Sequence, residues 1–368
     1  MKIVVCGNYG AGNIGDEAIL YSTLQYLRKT HPSAHIDVLC AMPDVEQKFF
    51  SDFSSLSFLW TLPMGIRSFV RSIFKGTLWK TVRAIKKCDL FILGGGGLFA
   101  DDESIRAPFI WGAHLMTAKF FKRNIKVEAI SVGPLKRKIA RWFTQKSLQN
   151  IQTISVRDRS SNRLLLDLGI KSRVTFDPVF RLSVPTRSPL PLVAERQSLP
   201  EKPYIIVSLR PWKSMDENLY KKLAHAFDRI IEKFAFNIVF IPFQETPQND
   251  VHIMNKIIEH VIHRRTIFVH PYSRDFGTLF HLFQDAEMVI GMRLHSIIFS
   301  ILTETPFCMI SYSDKGNALL EMLENYDVRS VPIENPDSLF NDFEMIYKNR
   351  QSFKKSLKQI KEYVSTTN

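Results

Sequence analysis

Short apolar runs alternate with stretches whose apolar positions recur every three or four residues, and the alternation continues from end to end. Lys2–Cys6, His35–Cys40, Asp89–Leu93, Lys126–Val132 and Thr153–Val156 read as buried strands, because a strand covered on both faces is apolar throughout. Between them, Asp16–Arg28, Pro108–Phe121 and Arg159–Leu168 carry helical spacing. That order predicts a doubly wound parallel sheet. The pattern lapses over Asp177–Pro203, where Pro178, Pro185, Pro189, Pro191, Pro200 and Pro203 cluster, and then restarts. Tyr204–Leu209, Phe236–Ile241, Thr266–Val269, Met288–Ile290 and Pro306–Ser311 read as strands. Met215–Phe234, Asp250–His263 and Arg274–Phe283 read as helices, and the charged amphipathic stretch 336–366 reads as one long C-terminal helix. The expected fold class is α/β, with two Rossmann-like domains on parallel sheets. They span 1–180 and 204–368, joined by a proline-rich linker over 181–203, with a cleft between them.

Composition narrows the class. At 368 residues, 45% hydrophobic and 23% charged, this is an ordinary globular chain with length for two domains. No run reaches the roughly 18 apolar residues that span a bilayer, and the apolar opening is too short for a signal peptide, so a cytoplasmic protein is expected. Cys6, Cys40, Cys88 and Cys308 are scattered without a C-x-x-C pair, which fits reduced thiols. A net charge of +13 favours phosphorylated substrates or anionic lipid. Nucleic acid is not expected, because no RNA- or DNA-binding module or zinc-finger spacing is present.

The candidate chemistry gathers at strand ends. After Val289-Ile290-Gly291 come Met292-Arg293-Leu294-His295 and then a helix-like run. In open α/β sheets ligands bind at the carboxyl ends of strands against helix N-termini, where free N–H groups favour an anion. Arg293 adds a planar charged fork and His295 a group that carries a proton near neutral pH. Arg210, before Pro211-Trp212, is a second strand-end cation, and Lys315 follows the strand ending at Ser311. Arg157 sits at another strand end, where pairing with an acid is the competing role. His252, His260 and His263 share a helical region but lack companions for a metal site, so no metal is expected.

Two glycine-rich loops need separate weighing. Gly10-Ala11-Gly12-Asn13-Ile14-Gly15 matches the dinucleotide fingerprint, with Asp37 where a ribose-binding acid would stand. The match starts late, however, and Asp16 and Glu17 in the first helical turn would repel a pyrophosphate. Asp16 then either caps the helix or faces a sugar hydroxyl. Gly94–Gly97, followed by Asp101 and Asp102, is either a tight turn or a close backbone approach to a ligand, with Gly95 and Gly96 as contacts.

Residues 65–87 hold Arg67, Arg71, Lys75, Lys80, Arg83, Lys86 and Lys87 and no acid, with aromatics at near-helical spacing. A helix packed on the sheet and a helix lying on an anionic membrane both fit. Lys136, Arg137, Lys138 and Arg141 add a second basic cluster.

The ordered set Gly7-Asn8-Tyr9-Gly10-x-Gly12-Asn13-Ile14-Gly15-Asp16-Glu17-Ala18, Leu93-Gly94-Gly95-Gly96-Gly97-Leu98, Val132-Gly133-Pro134, Ser155-Val156-Arg157-Asp158, Ser208-Leu209-Arg210-Pro211-Trp212, Ile241-Pro242-Phe243-Gln244 and Gly291-Met292-Arg293-Leu294-His295 resembles the polysaccharide pyruvyl transferases, especially the bacterial type acting on secondary cell-wall polymers. The resemblance implies a GT-B-like fold and a role in cell-wall polysaccharide biosynthesis and S-layer anchoring. It implies phosphoenolpyruvate as donor, bound in the C-terminal domain by Arg210, Arg293, Leu294 through its backbone, His295 and Lys315. It implies a sugar on a lipid-linked glycan as acceptor on the N-terminal side, where Asn13, Asp16, Gly95, Gly96, Asp101 and Arg157 are candidate contacts. His295 is the candidate acid and Asp16 a candidate base; no cofactor is expected. The segment Ala129-Ile130-Ser131-Val132-Gly133-Pro134 departs from the glycine-rich pattern of many members. Location would be cytoplasmic, peripheral to the inner face of the membrane. A nucleotide-sugar glycosyltransferase, a dinucleotide-dependent oxidoreductase and a non-catalytic glycan- or lipid-binding protein are the rival readings. Oligomeric state is not fixed by the sequence.

Overall fold

The structure is a computed structural model. It describes residues 1–51, 53–102, 104–184, 200, 203–245, 250–312, 314–323, 328 and 330–367, with the side chains of 314–317 and 367 outside the description. The chain divides into two compact units, Met1–Arg181 and Leu182–Thr367. Most of the expected linker over 181–203 lies outside the described residues.

The first unit runs β1 (Lys2–Cys6), α1 (Ile14–Thr30), β2 (His35–Cys40), α2 (Pro43–Phe49), β3 (Leu56–Trp60), α3 (Ile66–Phe74), α4 (Thr77–Lys87), β4 (Leu90–Phe99), α5 (Ala107–Phe120), β5 (Asn124–Val132), α6 (Lys138–Leu148), β6 (Thr153–Val156), α7 (Arg159–Asp167) and β7 (Arg173–Val174). Its sheet has the order β3-β2-β1-β4-β5-β6-β7 and is parallel throughout. Val4, Leu93 and Val127 on the central strands are fully buried, as the unbroken apolar runs require. The sheet reverses direction between β1 and β4, which opens a crevice at their carboxyl ends.

The glycine run expected to be a loop is instead part of β4, pairing with β5 at Gly94↔Glu128 and Gly96↔Ile130 before the register shifts. Gly95 and Gly96 take φ values of 63° and 81°. A Cβ on Gly95 would stand 2.1 Å from Ile19 Cγ2, so this glycine lets α1 lie against the strand. The expected basic helix over 65–87 is two helices, α3 and α4, broken at Gly76, whose φ is 69°.

The second unit runs β8 (Tyr204–Ser208), α8 (Glu217–Phe234), β9 (Asn237–Phe240), α9 (Asp250–Ile258), β10 (Ile267–Val269), α10 (Phe276–Asp285), β11 (Val289–Gly291), α11 (Leu294–Thr303), β12 (Phe307–Ser311), α12 (Asp314–Met322), β13 (Ser330–Pro332), α13 (Leu339–Lys348) and α14 (Arg350–Thr367). Its parallel sheet has the order β10-β9-β8-β11-β12-β13, with its own reversal between β8 and β11. The core beneath it includes Phe227, Phe240, Phe343 and Ile290. The single C-terminal helix expected over 336–366 is interrupted at Asn349, whose amide Nδ2 donates to Met345 O at 2.9 Å. A short polar side chain that competes for backbone carbonyls is a poor helix residue. No described helix is long and apolar enough to cross a membrane.

Candidate functional site

In the second unit, β11 ends at Gly291. A Cβ there would meet Ile297 Cδ1 and Ser296 Oγ, each at 2.6 Å, so glycine lets α11 turn back tightly against the strand end. Met292 N–H donates to Ser208 O at 2.7 Å, tying this turn to β8 next door. Arg293 stands at the N-cap with extended backbone and no side-chain cap bond. The first turn of α11, which carries Leu294 and His295, therefore starts without the serine or aspartate cap that commonly occupies its N–H groups.

The Arg293 guanidinium turns toward Asp250, the first residue of α9. Nε donates to Asp250 Oδ2 at 3.1 Å and Nη2 donates to Oδ1. Asp250 is fully buried and also accepts from the N–H groups of Phe243 at 2.8 Å and Gln244 at 3.1 Å. Burial pushes its carboxyl above the usual range, and Arg293, hydrogen bonds and Arg210 only partly oppose this. Desolvation thus outweighs the pairing, as is common for buried ion pairs. Arg293 is held in place by an acid that the sequence reading passed over. The available signal was an aspartate opening a helix after Ile241-Pro242-Phe243-Gln244.

Arg210 lies just past β8. Its Nη1 donates to Tyr312 Oη at 2.9 Å, and its guanidinium carbon sits 5.0 Å from the Tyr312 ring and 5.7 Å from that of Trp212. Those rings meet edge-on at 4.7 Å. Tyr312 follows β12 and was also missed; only its place one residue beyond a strand could have marked it. Since β8, β11 and β12 are neighbours, Arg210, Arg293, Tyr312 and the start of α11 converge at the carboxyl ends of these central strands. His295 is half-buried in the first turn. Lys315 belongs to α12, and its side chain lies outside the description.

The first-unit candidates separate into two groups. Asn13 is the N-cap of α1, its Oδ1 accepting from Gly15 N–H at 2.9 Å. Asp16 follows in the first turn and accepts from Asn8 Nδ2 at 2.8 Å. A Cβ on Gly96 would stand 3.0 Å from Asp16 Oδ1, so Gly96 and Asp16 face each other. Asp101 and Arg157 are engaged within the unit. Buried Asp101 accepts from the N–H groups of Lys136 at 2.7 Å and Arg137 at 2.8 Å. Arg157 donates to Asp177 at 2.6 Å and to Ser131 Oγ at 2.8 Å, both within the unit. Gly95 is likewise filled by Ile19.

The dinucleotide reading of Gly10–Gly15 meets a specific obstacle. Gly10 N–H, a natural pyrophosphate donor, already donates to the buried Glu17 carboxylate at 2.8 Å. Among the described residues, no cluster of three or more His, Cys, Asp or Glu could hold a metal ion. His260 and His263 instead meet Glu217 and Glu232 at 2.8 and 3.0 Å.

The family model for polysaccharide pyruvyl transferase matches residues 13–314. No curated protein matches the sequence. Among solved structures, UDP-GlcNAc 2-epimerase from Neisseria meningitidis, bound to UDP-GlcNAc, aligns with TM-score 0.62 at 12% identity, covering 97% of this chain and 94% of its own. A glycosyltransferase from Rickettsia africae aligns with TM-score 0.62 at 12% identity, covering 100% and 93%. Sucrose-phosphate synthase from Thermosynechococcus elongatus aligns with TM-score 0.63 at 13% identity, covering 100% and 94%. These similarities show a GT-B-like fold and nothing further.

Proposed function

Because the chain belongs to the polysaccharide pyruvyl transferase family, we propose that it transfers pyruvate from phosphoenolpyruvate to a sugar of a lipid-linked cell-surface glycan, forming a ketal and releasing phosphate. The observation that carries this reading is the convergence of Arg210 and Arg293 at adjacent strand ends, beside the α11 N-terminus that bears His295. Phosphoenolpyruvate has a phosphate and a carboxylate on one small frame, and two guanidinium forks beside a helix N-terminus suit such an anionic head. Asp250 holds two donors of the Arg293 fork, which fixes its orientation before the donor arrives.

In this mechanism His295 delivers a proton to the methylene carbon. C2 becomes cation-like and the first sugar hydroxyl bonds to it. That hydroxyl loses its proton to Asp16, which Asn8 orients. The C2–O bond to phosphate then breaks, with its electron pair leaving on the phosphate. The second hydroxyl closes the ring as its proton departs with the phosphate. Lys315, on the helix after β12, is the remaining candidate for the donor side.

The test is turnover with phosphoenolpyruvate and lipid-linked disaccharides, following free phosphate and the ketal methyl signal together. Equal amounts of both are expected. Release of a nucleoside diphosphate from a nucleotide sugar, with no phosphate from phosphoenolpyruvate, would establish the glycosyltransferase alternative instead.

A further inference from the structure

A helix that covers a sheet normally turns its apolar stripe inward. Helix α4 does this, burying Thr81 and Ile85 as it packs on β3. Helix α3 does not, although it is strongly amphipathic. Not one of its residues is buried. Ile66 and Phe74 are 84% and 87% exposed, and Phe69, Val70 and Ile73 are exposed with them. At about 100° per residue these five positions share one arc of the helix. Arg67 and Arg71 border that arc, and Trp79 of α4 adds a further exposed ring.

Contiguous exposed apolar surface of this kind marks an interaction site. The charges choose the partner. Residues 65–87 carry seven cations and no acid. Helix α4 packs beside α5, and α5 beside α6. In a parallel sheet the right-handed crossovers from β3 to β4, β4 to β5 and β5 to β6 place these helices on one face. On that face α6 exposes Ile139 and Trp142 next to Lys138 and Arg141. A second copy of this chain would set the same cations against one another. An anionic bilayer satisfies both parts, with headgroup phosphates for the cations and acyl chains for the stripe.

We propose that α3 lies in the plane of an anionic phospholipid surface. Its apolar stripe sits among the acyl chains, Arg67 and Arg71 meet the phosphates, and α4 and α6 supply the surrounding positive field. The proposal stands on these helices alone and does not depend on the donor or the reaction.

The test is co-sedimentation of the full chain, without donor or acceptor, with vesicles of phosphatidylcholine alone or mixed with phosphatidylglycerol. Binding to the mixed vesicles, weakened by salt, is expected. Arg67→Gln and Arg71→Gln should each weaken it about fivefold, and Phe69→Ser with Phe74→Ser should weaken it at least as much. Because no α3 residue is buried, each variant should still fold and melt in a cooperative transition. Equal binding to both vesicle types, no binding, or variants that bind like wild type would overturn the proposal. So would a solution dimer that the Phe69→Ser, Phe74→Ser variant dissolves.

Discussion

Replacing Asp250 by asparagine keeps the side chain's shape and removes the charge that holds Arg293. The guanidinium is 11% exposed and the carboxylate fully buried, so this is a buried pair. Removing one partner of such a pair costs about 3–5 kcal/mol, because the other charge is left without compensation. Phe243 and Gln244 N–H both donate to Oδ2, so the new amide keeps them by placing its oxygen there and turns its NH2 toward Arg293 Nη2. Against this, ionised Asp250 carries a desolvation cost that the variant recovers. A net loss of about 3 kcal/mol follows, or roughly 6–12 °C in the melting of a unit this size. Arg293→Met should cost a similar amount above the folded pKa of Asp250, with a different pH dependence. A carboxyl whose folded pKa is raised above its ordinary 3.8 favours the fold at low pH and opposes it as pH rises through the folded value. The cost of Arg293→Met should therefore shrink as the medium is acidified, because Asp250 can protonate. Calorimetry of both single variants and the double variant supplies the cycle, with an expected coupling on the order of 2 kcal/mol. A shift under about 2 °C for Asp250→Asn, or a double variant equal to the sum of the singles, would refute the reasoning.

Three further outcomes follow from other parts of the molecule. Burial holds His114 neutral and lowers its pKa from 6.5 to about 4. Its ring accepts from Leu62 N–H at 2.9 Å and donates to Ile110 O at 2.8 Å. The unfolded chain binds the proton first, so the first unit should lose about 3 kcal/mol as pH falls from 6.5 to 4. His114→Gln should lose that component, and equal pH slopes for both proteins would contradict it. Gly95→Ala places a Cβ 2.1 Å from Ile19 at φ 63° and should cost about 2–4 kcal/mol. Gly169→Ala, at φ 73° with nothing within 4 Å, should cost only about 1 kcal/mol, and similar melting shifts for the two would sink the packing argument. His295→Ala should lower turnover about 10²–10⁴-fold while leaving thermal stability near wild type; near-normal turnover would remove His295 as the acid.

The strands were legible because burial on both faces writes an unbroken apolar run. Lys2–Cys6, His35–Cys40 and Thr153–Val156 occur in the structure with the bounds read from sequence. β3 and α6 were passed over. Leu56–Trp60 has no glycine or proline just ahead of it, with Pro63 and Gly65 coming only after it, and Lys138–Leu148 reads first as a run of positive charge. Gly94–Gly97 misled in the opposite sense, since four glycines resemble a loop, whereas the reason for one of them, Gly95, is Ile19, 76 residues away along the chain. In the candidate site, Arg210, Arg293 and His295 stood out because they sit at strand ends, which is a local property. Asp250 and Tyr312 matter through partners 43 and 102 residues distant. No periodicity or local spacing encodes such pairings, and they appear only once the neighbouring strands β8, β11 and β12 place the chain segments together.

Titration of phosphoenolpyruvate into the wild-type protein and into Arg210→Ala, by calorimetry, tests the account most directly because it needs no acceptor. Saturable binding by wild type is expected, at least about tenfold weaker in the variant from loss of one charge-assisted contact. A wild-type protein that ignores phosphoenolpyruvate, or a variant that binds it equally well, would contradict the assignment of the β8–β11 strand ends as the donor site.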